Sequence, residues 1–120
     1  MDDTSSRQAE EALAAFLGYL RRRGHPVATQ RQYGRYLKLF AQWAGERELE
    51  AIMARDIELG YLGGWHDEWE LKNGRAPSEN TKRNHIQALR ALYKFLERFD
   101  FLKAPNPMTR IEAPKIKRGA

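Results

Sequence analysis

The 120-residue chain contains no cysteine. This excludes a disulfide framework, a thiolate metal site and a cysteine nucleophile, and it fits a reducing, cytoplasmic location. No apolar run approaches the ~20 residues that a membrane-spanning helix needs. The opening MDDTSSRQAEE is acidic and polar, unlike a signal peptide. Strand-like alternation of polar and apolar residues is missing, as are internal repeats and low-complexity tracts. Serine is scarce. Ser5 and Ser6 stand in the polar lead-in and Ser78 precedes a helical stretch, so none reads as a nucleophile beside a base. The only histidines are His25, His66 and His85. His66 and Glu70 have the i, i+4 spacing that can hold a metal on a helix, but no third ligand is evident in the sequence. His85 borders an apolar stripe and reads as a boundary residue. No glycine-rich phosphate loop is expected, because no strand precedes one. Neither a catalytic site nor a cofactor is therefore expected in this chain.

Enough apolar material is present for one domain. Hydrophobic residues make up 42% and aromatic residues 11% of the chain, which suffices for a modest single core. The formal net charge of +5 is by itself a weak pointer to nucleic acid. Its distribution says more. Between His25 and Gly45 the charged residues are Arg31, Arg35 and Lys38, with no acid. Between Glu46 and Glu70 there are eight acidic residues and two basic ones. From Lys103 to Ala120 five basic residues accompany one acid. A chain shaped only for solubility mixes its signs more evenly.

Four stretches have helical periodicity. Ala9, Ala12, Leu13, Phe16, Leu17 and Leu20 predict a helix over Arg7–Arg23, closed by Gly24. Arg21, Arg22 and Arg23 suit the negative end of its dipole, and equally suit a nucleic-acid contact. A second helix is predicted over Val27–Ala44, with Tyr33, Tyr36, Leu37, Phe40 and Ala44 on one side and Arg31, Arg35, Lys38 and Gln42 on the other. A third is predicted from Met53 or Ala54 to Leu71, with Ile57, Tyr61, Leu62, Trp65 and Trp69 inward and acids outward. Gly60, Gly63 and Gly64 weaken it, each by up to ~1 kcal/mol, and suggest a break or kink near Gly63-Gly64. Trp43, Trp65 and Trp69 read as core. The fourth helix follows Ser78, a good N-cap, and runs to Phe99. Ile86, Leu89, Tyr93 and Leu96 form its apolar stripe, with Arg83, Gln87, Arg90, Lys94 and Arg98 opposite. Beyond Phe99, Pro105, Pro107 and Pro114 forbid a long helix, and IEAPKIKRGA reads as a basic linker rather than a core element. The expected architecture is all-α, four helices around one core over residues 7–103. A disordered lead-in (1–6) and a basic linker (104–120) flank it.

These helices also carry a family pattern. The first has the form AFLGYLRRRG. The second places Thr29, Tyr33, Leu37, Phe40 and Trp43 at fixed steps. The third opens Asp56-Ile57 and continues to Tyr61-Leu62. The fourth has Ser78, Thr81, Asn84, Leu89, Arg90, Tyr93, Phe95 and Leu96, and Asn106-Pro107 follows. In this order and spacing the sequence resembles the N-terminal core-binding domain of tyrosine recombinases, the SAM-like domain of phage integrases. The chain departs from the family at Val27, where a proline is common, and at Pro26, where a capping Ser or Thr is common. The family's catalytic Arg, Lys, His-x-x-Arg and nucleophilic Tyr belong to a second domain. None is matched here, since Ala28, Trp69 and Ala88 follow the three histidines by three residues.

The resemblance implies a four-helix orthogonal bundle that forms one half of a clamp on double-stranded DNA, in a parent recombinase acting with other protomers. It implies no chemistry in this chain, no membrane partner, and a monomeric isolated domain. Carried over by position, it directs Thr29, Arg31, Gln32 and Arg35 of helix 2, and Asn80, Thr81, Arg83, Asn84 and Gln87 of helix 4, to the major groove. Lys38, Arg90 and Lys94 would attract the phosphate backbone. Arg suits guanine, Asn and Gln suit adenine, and Thr suits phosphate. Thr29 and Thr81 have an equal structural reading as helix caps. The two basic helix faces are expected to merge into one cationic surface. The alternative is a protein-interaction module whose basic face meets an acidic partner.

Overall fold

Ala9, Ala12, Phe16 and Leu20 recur at three- and four-residue steps. In the computed structural model, which describes residues 7–114, they form the buried side of α1 (Gln8–Arg22). Gly24, at φ +77°, turns the chain, and the His25 N–H reaches back to the Leu20 carbonyl (3.0 Å). A side chain is disfavoured at such a φ, so glycine closes the helix cheaply. Pro26 presets φ at −56° ahead of α2 (Val27–Ala44), which buries Tyr36, Leu37, Phe40, Ala41 and Ala44 and ends at Gly45. Tyr33 is only half-buried, stacked on Phe16 (6.1 Å).

The third helix begins at Ala54 and does not break at its glycines. It is wound as a π-helix over Asp56–Leu62 and returns to α-helical winding as α3 (Gly63–Asn73). The wider π turn brings Ile57, Tyr61 and Leu62 together on the core side. Gly60 lies against Trp43, where an added Cβ would come 3.6 Å from the indole. Gly74, at φ +72°, ends the helix. The expectation of core tryptophans is met only in part: Trp43 and Trp65 pack against the core from its edge, and Trp69 does not reach it. Trp43, Trp65 and Trp69 are half-buried and line an open groove with Leu39, Gly60 and Gly64. The apolar stripe of the third helix runs out after Leu62, and α3 has no buried residue.

Ser78 caps α4 (Glu79–Arg98): its Oγ accepts from the Thr81 N–H (3.1 Å). Eight residues of α4 are buried, more than on any other helix, so α4 is the axis of the core. Leu37, Phe40, Ile57, Leu89, Leu92, Tyr93 and Leu96 are at most 1% exposed. Each such burial contributes ~1.5–3 kcal/mol. α1 packs on α4 through Phe16 and Tyr19 against Phe95 (5.3 and 5.2 Å), and α2 through Tyr36 on His85 (4.5 Å) and Phe40 on Tyr93 (6.1 Å).

The fold does not stop at Lys103. Leu102, Met108 and Ile111 are buried; Met108 lies within a 3-10 turn over Pro107–Arg110, and Ile111 follows it directly. The start of the segment read as a linker is therefore part of the core, because Ile111 finds an apolar seat that periodicity could not reveal. Among the described residues there is no strand, and no helix is long and apolar enough to cross a membrane. The expected lead-in over residues 1–6, and the last part of the expected linker, 115–120, lie outside the described residues.

Candidate nucleic-acid interface

The apolar stripes that build α2 and α4 also decide where their polar residues go. Tyr36 and Phe40 turn to His85 and Tyr93, and the side chains opposite them must face water. Arg31, Arg35 and Lys38 are exposed on α2, as are Asn80, Gln87 and Lys94 on α4; Arg83, Asn84 and Arg90 are half-buried. Among the described residues no carboxylate lies within ion-pair distance of any of these cations. The close pairs are Arg7–Glu10 (2.9 Å), Lys72–Glu68 (2.9 Å) and Lys82–Glu79 (3.2 Å), with His66 near Asp67 and Glu70. The acids gather on the third helix, where Glu58, Asp67, Glu68 and Glu70 are exposed.

The two cationic rows do not merge into one surface at mid-helix. At about 100° per residue, Arg31, Arg35 and Lys38 on α2, and Gln87 and Lys94 on α4, lie roughly 100–180° around their helices from the contacting rings, whereas Arg83 and Arg90 lie about 80° and 60° from Tyr93 and are half-buried. The exposed members of the two rows therefore point away from each other across the α2–α4 contact, with Arg83 and Arg90 nearer to it. Polar residues expected at DNA do flank that contact. Thr29 and Gln32 sit within about 40° of Tyr36 around α2, and Thr81 within about 40° of His85 around α4. All three are half-buried, as is the neighbouring Asn84. The N-terminal halves of α2 and α4 thus form a polar seam with a cationic row on each outer side.

Local chemistry sorts these residues further. Thr81 belongs to the cap: the Ser78 hydroxyl donates to its Oγ1 (3.0 Å) as well as accepting from its N–H. Thr29 makes no cap bond, and α2 has no side-chain cap and no acid in its first turn. Its leading N–H groups are left to solvent or an anion. Arg90 is already engaged, donating to the Ile111 carbonyl (2.7 Å). Lys38 shares a shallow groove with Glu10, Leu13 and Leu17 of α1, on the α1 side of α2.

His85 is not a boundary residue. It is fully enclosed at the base of the seam, stacked on Tyr36 and edge-on to Trp65 (4.4 Å), with Nε2 2.7 Å from the Tyr61 hydroxyl. That hydroxyl donates to the Tyr36 carbonyl (3.2 Å), so His85 Nε2–H is the donor to Tyr61, and Nδ1 is bare and without a partner among the described residues. Burial pushes the His85 pKa down to about 4 and pushes the Tyr61 and Tyr93 hydroxyls up. The neutral histidine thus ties Tyr61 to α4, while the Tyr61 hydroxyl itself bonds to α2 at the Tyr36 carbonyl, a role that spacing alone cannot signal. His66, Asp67 and Glu70 do cluster, with Nδ1 3.4 Å from Asp67 and 3.6 Å from Glu70. Asp67 supplies the third group not evident in the sequence. The cluster lies on the exposed acidic helix, outside the α2–α4 seam.

Comparison with known families bears on this arrangement. Residues 13–100 match the family described as phage integrase, N-terminal SAM-like domain, and with most of its length matched the chain belongs to that family. The match is to the N-terminal domain and not to a catalytic one. No curated protein and no solved structure matches the chain.

Proposed function

We propose that this integrase-family domain grips duplex DNA for a tyrosine recombinase, with the N-terminal halves of α2 and α4 entering the major groove. The supporting observation is the charge arrangement. Among the described residues Arg31, Arg35, Lys38, Arg83 and Lys94 of α2 and α4 have no acidic partner, while Asp56, Glu58, Asp67, Glu68 and Glu70 sit together on the third helix, which then faces away from DNA. In this reading Gln32 and Asn84 meet base edges from the seam, and Asn80 and Gln87 reach bases or sugar from the first turns of α4. Thr29 and the open N–H groups of α2 take a phosphate. Arg31 and Arg35 on one side and Arg83 on the other pair with guanine or phosphate, and Lys38 and Lys94 add backbone attraction. The chain supplies grip and placement. Strand cleavage and joining would fall to a separate catalytic domain, in concert with other protomers.

One half of a clamp should bind weakly, at ~10⁻⁴ to 10⁻⁶ M at physiological salt. Neutralising about four to six phosphates gives a slope of log K against log salt of roughly −4 to −5. The test is a duplex titration of three folded proteins: the unsubstituted chain, Arg83→Glu and Arg55→Glu. Arg83→Glu should weaken binding at every salt concentration and reduce the slope by about one. Arg55→Glu, on the acidic helix, should do little. Equal losses would sink this assignment, and no salt-dependent DNA binding at all would favour the acidic protein partner.

A further inference from the structure

The proposed grip leaves one segment unexplained: the chain after α4 could run straight into solvent, and instead it is hydrogen-bonded to the rest of the domain at three places, Glu50, Glu97 and Arg90. The backbone N–H groups of Lys103 and Ala104 donate to the two carboxylate oxygens of Glu50 (2.8 and 2.7 Å), more than fifty residues earlier in the chain. Asn106 is buried. Its Oδ1 accepts from the Met108 N–H (2.9 Å), and its Nδ2 donates to Glu97 on α4 (3.2 Å). The Thr109 hydroxyl donates to the Asn106 carbonyl (2.9 Å), and Met108 and Ile111 are 2% exposed. Last, Arg90 donates to the Ile111 carbonyl, at 2.7 Å the shortest of the side-chain bonds on this segment, jointly with Ala104. Beyond Ile111, residues Glu112–Pro114 make no hydrogen bond to the domain among the described residues.

We infer that Leu102–Ile111 is a docked strap that fixes where and in which direction the chain leaves the domain, and that Arg90 is the positioning residue that closes it. A carbonyl at a chain exit is ordinarily satisfied by water. Here a guanidinium takes it in a half-buried setting, where a charge-assisted bond is stronger than a neutral one. Proline at 105 and 107 lowers the number of conformations the segment can escape to, so docking costs less ordering entropy. The first exposed residue after the strap is Glu112, ten residues beyond the buried Leu102, with Ala113 still half-buried against the core. Anything that follows is therefore hung from a fixed point beside α4, close to Lys94, rather than from the end of the helix at Arg98. Arg90 is thereby moved from the expected phosphate contacts to an architectural role. This inference stands on the strap's own contacts and does not depend on the DNA reading.

The absence of cysteine allows a clean test. Spin labels are placed at Asp67→Cys and Glu112→Cys in the full chain, both exposed positions, and the distance distribution is measured by pulsed electron resonance. Amide exchange is followed in parallel. The unsubstituted background should give one narrow distribution, with protected amides at Met108, Thr109 and Ile111. Arg90→Met should broaden the distribution and speed exchange at those amides by about tenfold or more, leaving the amides of Leu89, Leu92 and Leu96 unchanged. Arg90→Lys, which can still donate one bond to the Ile111 carbonyl, should restore part of both. Glu50→Gln should loosen Lys103 and Ala104 before it loosens Ile111, and it carries the test if Arg90→Met unfolds the domain. In a duplex titration Arg90→Met should keep the salt slope of the parent. A broad distribution in the unsubstituted chain, or Arg90→Met indistinguishable from it in exchange and distance, overturns the strap. A salt slope reduced by about one with the strap undisturbed returns Arg90 to the phosphate contacts.

Discussion

Acidifying the protein should destabilise it through His85, and the size of the effect follows from the structure. The ring is fully enclosed by Tyr36, Tyr61 and Trp65, its Nε2–H is committed to Tyr61, and its Nδ1 faces no acceptor among the described residues. A proton on Nδ1 would place a cation there with nothing to compensate it. Burial accordingly lowers the pKa from 6.5 to about 4. Because the folded state holds the proton less tightly than the unfolded state, stability is intact above pH 6.5 and is lost as pH falls from 6.5 through 4. The loss from this one group is about 2 kcal/mol at pH 5 and about 3 kcal/mol at pH 4. The assay is urea unfolding followed by far-ultraviolet circular dichroism at pH 7.5, 6, 5 and 4.5. Each point is repeated with His85→Phe, which keeps a ring against Tyr36 and leaves the Tyr61 hydroxyl its bond to the Tyr36 carbonyl. Every other ionisable group is common to both proteins and cancels in the difference. The difference should grow by about 2 kcal/mol between pH 7.5 and 5. If both proteins lose the same stability over that range, His85 is not the buried neutral tether argued for it.

Two further predictions concern single groups on α4. The Tyr93 hydroxyl is buried without a partner among the described residues, so Tyr93→Phe should leave stability unchanged or raise it by about 1 kcal/mol. A loss above about 1 kcal/mol in urea unfolding would mean the hydroxyl has a bonded partner. Ser78→Ala removes the bonds to Thr81 and should cost about 1 kcal/mol, with faster amide exchange confined to the first turn of α4; exchange rates unchanged there would mean that Thr81 or solvent replaces the cap.

The course of the four helices was legible because each depends on local spacing and on a few terminating residues. The predicted second helix, Val27–Ala44, coincides with α2, since Pro26 and Gly45 punctuate it and a continuous apolar stripe fills the interval. The Ser78 cap and the glycine ends at Gly24 and Gly74 are likewise local choices of backbone conformation. The family, too, was carried by residues at fixed steps along the chain. Three other features were set by contacts between distant segments. His85 looks like the edge of a stripe in isolation; it is core only because Tyr61, twenty-four residues earlier, and Trp65 close over it. Glycine signalled weakness in the third helix, and the chain answered with a π turn that keeps Ile57, Tyr61 and Leu62 on one side. Arg31 is exposed opposite its apolar stripe and Arg83 is half-buried at the edge of its own, but the direction in which those stripes face one another is a property of packing. It separates the cations onto two flanks and leaves a polar seam between them. Periodicity tells a side chain whether it faces the core or water; which water-facing residues share a surface, and whether Ile111 finds a seat at all, is decided when the helices meet.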